Sequence, residues 1–503
     1  MRLRRPPLDR HTAILAGPVG ALFGQLAAAP DFRPSGPVRN DHRWPCPGRG
    51  PGGYRGGPGS VWWARKNRHE GLPLSVGLTL VGQASKRGIR PRLPSAEVLL
   101  NDLAEWLASE AADTAGPSRR TGAGTDEPGL RVLLHPAASD VVFRANDLGR
   151  VTVSATTAEV GPGYHTFVCQ LIRRIGSDLS IAWEPPDPAA GTGDETGYFE
   201  SGNRADVESA LLIWLHDALQ DARAARARGE QRIHLVAFGD HRFVFDGAIA
   251  TALGPRDDEW LAAAVNDPRI AVDVWPWTTD AMDARYLLNR ALVLMWTEVR
   301  WRAPATDEER ATIDEVLRLL RKAFPFDTSL PYPWREWKEL IFLSGASDPL
   351  SDRIAKEAVA AGAGGGSPIG YRRDPVVAFH GGWALEIPGS FAERRTAEEW
   401  WAGEGGRSIT LAAVSTGTDN GPMTAEAFLE KVSGDLGNGA LHHRNGQIVG
   451  KARLAVDHAS EVGLAVLDAY SAVRGSGAAL RIEIHDPADW EWALGMWRSL
   501  RPA

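Results

Sequence analysis

The sequence predicts an α+β protein, with a mixed α+β main domain followed by a smaller, strand-rich domain. Three observations carry this. Apolar residues recur at steps of three and four in some segments and alternate in others, without the strict strand–helix alternation of a parallel βαβ fold. At 503 residues the chain has room for two or three domains, each with its own core. A run of small residues, AVAAGAGGGSP at 358–368, interrupts the pattern as a flexible tether would.

Composition narrows the class. A charged fraction of 24% and an apolar fraction of 43% are those of a soluble globular protein. The net charge of -7 is unevenly spread. Residues 1–70 are rich in Arg, Pro and Gly, with only Asp9, Asp31, Asp41 and Glu70 as acids, so the remainder is acidic and no nucleic-acid-binding face is expected. These first residues read as a disordered basic arm or as a spurious N-terminal extension. Their Arg-rich head and modest apolar run imitate a secretory signal, but Gly17, Pro18, Gly20 and Gly24 weaken it. Cys46 and Cys169 are the only cysteines, which argues against a disulfide framework and for a reducing, cytoplasmic setting. No apolar run approaches the roughly 20 residues that span a bilayer, so no membrane insertion is expected.

The main domain is expected over residues 71–350. Leu74, Val76, Leu78 and Leu80 alternate as in a strand, and Ser95 opens a helix through Val98, Leu99, Leu103 and Leu107. A polar stretch suggests an internal boundary near 112–129. Strands follow at LRVLLH, DVVFR and RVTVSATT, and the turn cluster Asn146–Gly149 joins the last two. Gly161-Pro162-Gly163 leads into a helix marked by Phe167, Leu171 and Ile175. After the strand LSIAW and a loop, Asn203 caps a long helix with Val207, Leu211, Trp214 and Ala218 inside. IHLVAF and RFVFD flank Gly239-Asp240 as a β-hairpin would.

The span from Thr251 to Arg302 organises the rest. Asp280 is placed to cap a helix through Ala284, Leu288, Ala291, Leu292, Met295 and Val299, and the unbroken apolar run Ala291–Trp296 requires cover on most sides. Thr306 and Glu309 form a capping pattern for the next helix, which Pro325, Pro331 and Pro333 end. PYPWREWKELIFL then offers a short aromatic helix. Residues 351–374 read as a helix end and Gly-rich linker.

Residues 375–503 form the second domain. VVAFHGGWALEIPGSFAERR and RSITLAAVSTG are strands, Thr424 caps a helix through Phe428 and Val432, three further strands follow, and ADWEWALGMWRSL closes the chain as an amphipathic helix. Trp383, Leu385, Ile387, Pro388 and Phe391 at the front, with Ser499 and Leu500 at the end, resemble the PsbP/Mog1-like fold. That resemblance implies an α/β sandwich and a binding or assembly role of the secretion-adaptor type. The central part is similar to bacterial proteins of an uncharacterised family.

Candidate sites are few. Gly161–His165 sets a Gly-rich turn before a helix N-terminus, where N–H groups and the helix dipole favour an anion, with Tyr164 and His165 beside it. Asp194, Glu195 and Glu200 cluster in DETGYFE, a hard-cation or acid/base pattern without EF-hand spacing. Asp240 and His241, with His234, would ligate a metal only if another side chain reached them. The candidate ligand loops are therefore Tyr164, His165, Asp194, Glu195, Asp240 and His241. A recognition surface is expected from the Trp/Arg/Glu-rich span, with Arg256, Trp260, Trp277, Arg300, Arg302, Trp334 and Arg335. No nucleophile elbow, zinc-protease, Walker or paired C-x-x-C pattern occurs, so no catalytic residue, metal or cofactor is assigned. The leading expectation is a non-enzymatic protein-binding or adaptor protein, in a toxin, immunity or secretion system. The alternative is a hydrolase-type enzyme built on the Asp/Glu/His loops.

Overall fold

A computed structural model describes residues 76–86, 92–122, 128–236, 238–245, 247–362, 367–396, 398–415, 417–418, 421–432, 436, 440–456 and 464–503. The expectations for residues 1–75 and for 363–366 of the tether lie outside these; residues 358–362, expected as tether, are instead the last turn of the helix Ser351–Gly362. The mixed α+β class holds, and the chain divides into a unit ending at Asp374 and another beginning at Pro375.

The first unit opens with β1 (Gly77–Ala84), α1 (Ala96–Glu110), β2 (Arg119–Thr121), β3 (Gly129–Val132), β4 (Val141–Ala145) and β5 (Arg150–Thr156). Then come α2 (Pro162–Asp178), β6 (Ile181–Trp183), β7 (Gly193–Asp194) and the single turn α3 (Tyr198–Ser201). The strands make one antiparallel sheet in the order β2-β3-β4-β5-β1-β6, with β7 also on β1 through Leu78↔Asp194. Alternation sets its buried face, from Leu78 and Leu80 through Val151 and Val153 to Leu130 and Phe143, and α1 and α2 contribute Leu99, Leu103, Val168 and Ile172 to the same core.

A helical half follows: α4 (Arg204–Ala227), β8 (Ile233–His234), β9 (His241–Phe243), β10 (Ile249–Thr251), β11 (Gly254–Arg256), α5 (Asp258–Asn266), α6 (Ala284–Thr297), α7 (Asp307–Ala323), α8 (Trp334–Ser344) and α9 (Ser351–Gly362). Helix α6 is the apolar centre, burying Leu287, Leu288, Ala291, Val293, Met295 and Trp296. Its cap differs from expectation. Asp283, not Asp280, accepts from the Tyr286 N–H, while Asp280 turns to the Thr166 hydroxyl and to Arg204. The hairpin at Gly239-Asp240 is also corrected: the turn closes a single bridge, Phe238↔His241, and β8 instead pairs in parallel with β10. Thr306 caps α7 as expected, accepting from the Glu309 N–H. Helix α9 buries Ile354 and Ala358, a one-turn repeat that packs it on α8.

The second unit contains β12 (Val376–His380), β13 (Trp383–Ile387), β14 (Ala392–Arg395), β15 (Glu399–Glu404), β16 (Arg407–Ser415), the ribbon β17 (Gly417–Thr418) and β18 (Gly421–Pro422), α10 (Ala425–Val432), β19 (Leu441–Asn445), β20 (Ile448–Val456), β21 (Ala465–Val473), β22 (Ser476–Ile484), α11 (Trp490–Ser499) and β23 (Arg501–Pro502). Its main sheet runs β14-β15-β16-β22-β21-β20-β19, all antiparallel. The two helices take opposite faces. Phe428 of α10 packs with Val414, Val449, Tyr470 and Ala472, whereas the Trp497 indole of α11 donates to Ser471, the residue of opposite parity on β21.

Candidate functional site

In α2, residues four apart share one helix face, so His165 and Cys169 stand one above the other. Strand β7, where Asp194 pairs with Leu78, brings a carboxylate to that face, and the loop after it brings the Thr196 hydroxyl. The His165 Nε2 lies 3.1 Å from Asp194 Oδ1, 2.9 Å from Thr196 Oγ1 and 3.6 Å from Cys169 Sγ; Cys169 Sγ is 3.8 Å from Asp194 Oδ2. The side chains of His165, Cys169 and Asp194 are wholly removed from solvent.

Each member is oriented by a further contact. The Thr157 hydroxyl is hydrogen-bonded to His165 Nδ1 at 2.8 Å and lies 3.2 Å from the Val76 carbonyl. Asp194 accepts from the N–H groups of Thr196 at 2.9 Å and Phe199 at 2.7 Å. Arg173, one turn after Cys169, donates to the Tyr198 and Phe199 carbonyls and ties the loop to α2. Burial opposes ionisation of Asp194, but the hydrogen bond and charge of His165, with the two N–H donors, bring its carboxyl below the usual range. Burial, and then the Asp194 charge, push the Cys169 thiol up. Glu195 is exposed as a residue, yet its carboxylate is tucked against the Gly77 N–H; desolvation there and the Asp194 charge push it up to about 7.

Of the expected ligand residues, the fold therefore unites His165 and Asp194, with Glu195 adjoining. Tyr164 points elsewhere, into an aromatic cage with His135, Trp277 and Tyr286, where Tyr164 Oη, His135 Nε2 and Trp277 Nε1 are buried and find no hydrogen-bond partner among the described residues. Asp240 precedes β9, and His241 there lies 3.3 Å from the Arg372 guanidinium. The anion site at Gly161–Gly163 is corrected. The segment 275–279 fills it: the Gly163 N–H donates to the Trp277 carbonyl, and a Cβ on Gly161 would stand 2.7 Å from the same oxygen. Close backbone approach, not ligand binding, demands these glycines.

Of the expected recognition residues Trp277 is buried and the other six are half-buried. Trp277 is 1% exposed. Arg302 grips Glu309 through two bonds of 2.8 Å, with Arg300 at 3.9 Å from the same carboxylate. Trp334 stacks on Trp337 within α8, and Arg335 beside it is half-buried. Arg256 pairs with Asp273 at 3.1 Å and lies over the Trp260 ring. Sequence reasoning missed Cys169 and Thr196. The His-x-x-x-Cys spacing was the available signal for the first; Thr196 had none beyond its place beside Asp194.

Among the described residues no helix is long and apolar enough to cross a membrane. No protein-family model matches the chain, and no curated protein matches it at a significant level.

Proposed function

We propose that this is a non-enzymatic protein-binding or adaptor protein whose recognition surface is one cross-strand row of the second unit's sheet. The register carries the reading. Arg394↔Trp401↔Thr410↔Arg481↔Asp468↔Arg453 lie directly opposite one another across β14, β15, β16, β22, β21 and β20, so all six project from one face. This is the face on which α10 sits, since Tyr470 and Ala472 under α10 share the parity of Asp468. Helix α10 stops short of the row: Arg394 and Arg453 are exposed, the other four partly so.

A polar face on an antiparallel sheet is ordinary. This row differs in holding a partly exposed Trp401 with the Arg394 guanidinium over its ring at 5.5 Å, and three arginines against Asp468 within an otherwise acidic protein. Trp and Arg supply most interface hot spots, and the arginines select a partner surface bearing carboxylates. A place in a toxin, immunity or secretion system rests on the resemblance of residues 375–503 to adaptors of the PsbP/Mog1-like fold. The hydrolase reading draws less support: Asp194 and Cys169 approach the same nitrogen of His165, whereas a relay needs them on opposite ring nitrogens.

The test is affinity capture with the full chain and with the double variant Arg394→Glu/Arg453→Glu. A stoichiometric partner retained by the wild type and lost by a variant of unchanged thermal stability is expected. A partner set identical for both proteins refutes the row as the recognition surface.

A further inference from the structure

We propose that His165, Cys169 and Asp194 form a buried binding site for a zinc-class divalent ion in the first unit, independent of the binding row in the second. The donor set is the first argument. An imidazole, a thiol and a carboxylate whose donor atoms all lie within 4.8 Å of one another match the N, S and O ligands of zinc. Distance is the second. With metal–ligand bonds of about 2.0–2.3 Å, tetrahedral geometry sets donors about 3.3–3.6 Å apart; here Nε2 stands 3.1 Å from Asp194 Oδ1 and 3.6 Å from Sγ, and Sγ stands 3.8 Å from the other carboxylate oxygen, Oδ2.

Convergence is the third argument. The Thr196 hydroxyl lies 2.9 Å from Nε2 and 3.0 Å from both carboxylate oxygens, so four polar side chains meet at one buried point. The hydrogen bond between His165 Nδ1 and the Thr157 hydroxyl is the outer contact that ligating histidines usually make.

Charge is the fourth. A divalent ion with one thiolate, one carboxylate and a neutral imidazole sums to zero, which suits a site with no solvent contact. Binding displaces the Cys169 thiol proton to water as the metal–sulfur bond forms, together with any proton held on Nε2. The Thr196 Oγ1, steadied by the Tyr198 N–H at 3.2 Å, is the nearest fourth oxygen. With no open face, the site is structural, fixing the β7–α3 loop onto α2.

The experiment uses the full chain without an affinity tag, loaded with Zn(II) or Co(II), dialysed, and assayed by elemental analysis and absorbance. We expect about one metal per chain, a thiolate-to-cobalt charge-transfer band, and a metal-dependent rise in Tm. Cys46→Ser should keep the band, Cys169→Ser should abolish it, and His165→Asn should cut retained metal at least tenfold. Thr157→Val, which removes the outer contact together with the hydroxyl's bond to the Val76 carbonyl, should weaken affinity by about 10–100-fold. A folded wild type that retains no metal and shows no cobalt band overturns the proposal, whether or not the variants fold. So does a band that survives in Cys169→Ser.

Discussion

Gly163 gains its importance from one missing methyl group. A Cβ there would collide with the Thr279 carbonyl and the ring of the buried Trp277, whereas a Cβ on Gly197 meets nothing within 4 Å and pays only for a φ of +73°. Gly163→Ala should therefore cost about 3 kcal/mol through forced repacking, against about 1 kcal/mol for Gly197→Ala. Urea denaturation of both variants checks the order; equal losses would place the segment 275–279 elsewhere. The sequence signalled that these glycines mattered but not why, because the chain that covers them follows more than a hundred residues later. His165 and Cys169 were readable as a helix-spaced pair. Asp194 was not readable as their partner, since only the pairing of β7 with β1 brings it there.

At the scale of elements, helix α6 was legible from its apolar run, but its first turn was not. Asp280 and Asp283 stand three residues apart and both suit an N-cap; the choice fell to tertiary contacts, because Asp280 is drawn to Thr166 and Arg204. Asp283→Ala should cost about 1 kcal/mol as a lost cap. Asp280→Ala should cost less at physiological salt, and its effect should shrink further at 1 M salt, since its ion pair is half exposed. Denaturation midpoints at two ionic strengths separate the two, and a salt-independent loss at Asp280 would contradict this division. The failed hairpin has a similar cause. Gly239-Asp240 makes its turn, but Ile233 finds a better neighbour in Ile249, and the parallel pairing of β8 with β10 wins over the local one.

For the whole molecule, the α+β class was readable because periodicity is local, while the half-covered sheet of the second unit was not, because where α10 stops depends on packing. The molecule's response to acid likewise depends on which groups the fold shelters. His135 is fully buried, and desolvation followed by the charge of Arg290 holds it well below the usual histidine range. His234, half-buried and donating Nε2–H to the Phe243 carbonyl, is brought down to about 4 by desolvation, with Arg242 and Arg232 adding repulsion. Below pH 6.5 these histidines therefore bind protons in the unfolded chain that the folded chain refuses, so their contribution to stability falls as pH drops from about 6.5 through about 4, by at most about 3 kcal/mol for His234. Carboxylates held low by hydrogen-bonded arginines, Asp489 by Arg407 and Glu426 by Arg444, keep their contribution until the pH falls below the ordinary carboxylate range. The upper window is thus shared: the histidines lose stability as pH falls, while Glu195, pushed up to about 7, takes up its proton more readily in the folded chain and opposes them. His234→Gln, which retains a donor for the Phe243 carbonyl but cannot titrate, should show a shallower decline in Tm between pH 6.5 and 4 than the wild type. A parallel decline in both proteins would mean that His234 charges as readily in the folded state as in the unfolded one, and that the acid response originates elsewhere.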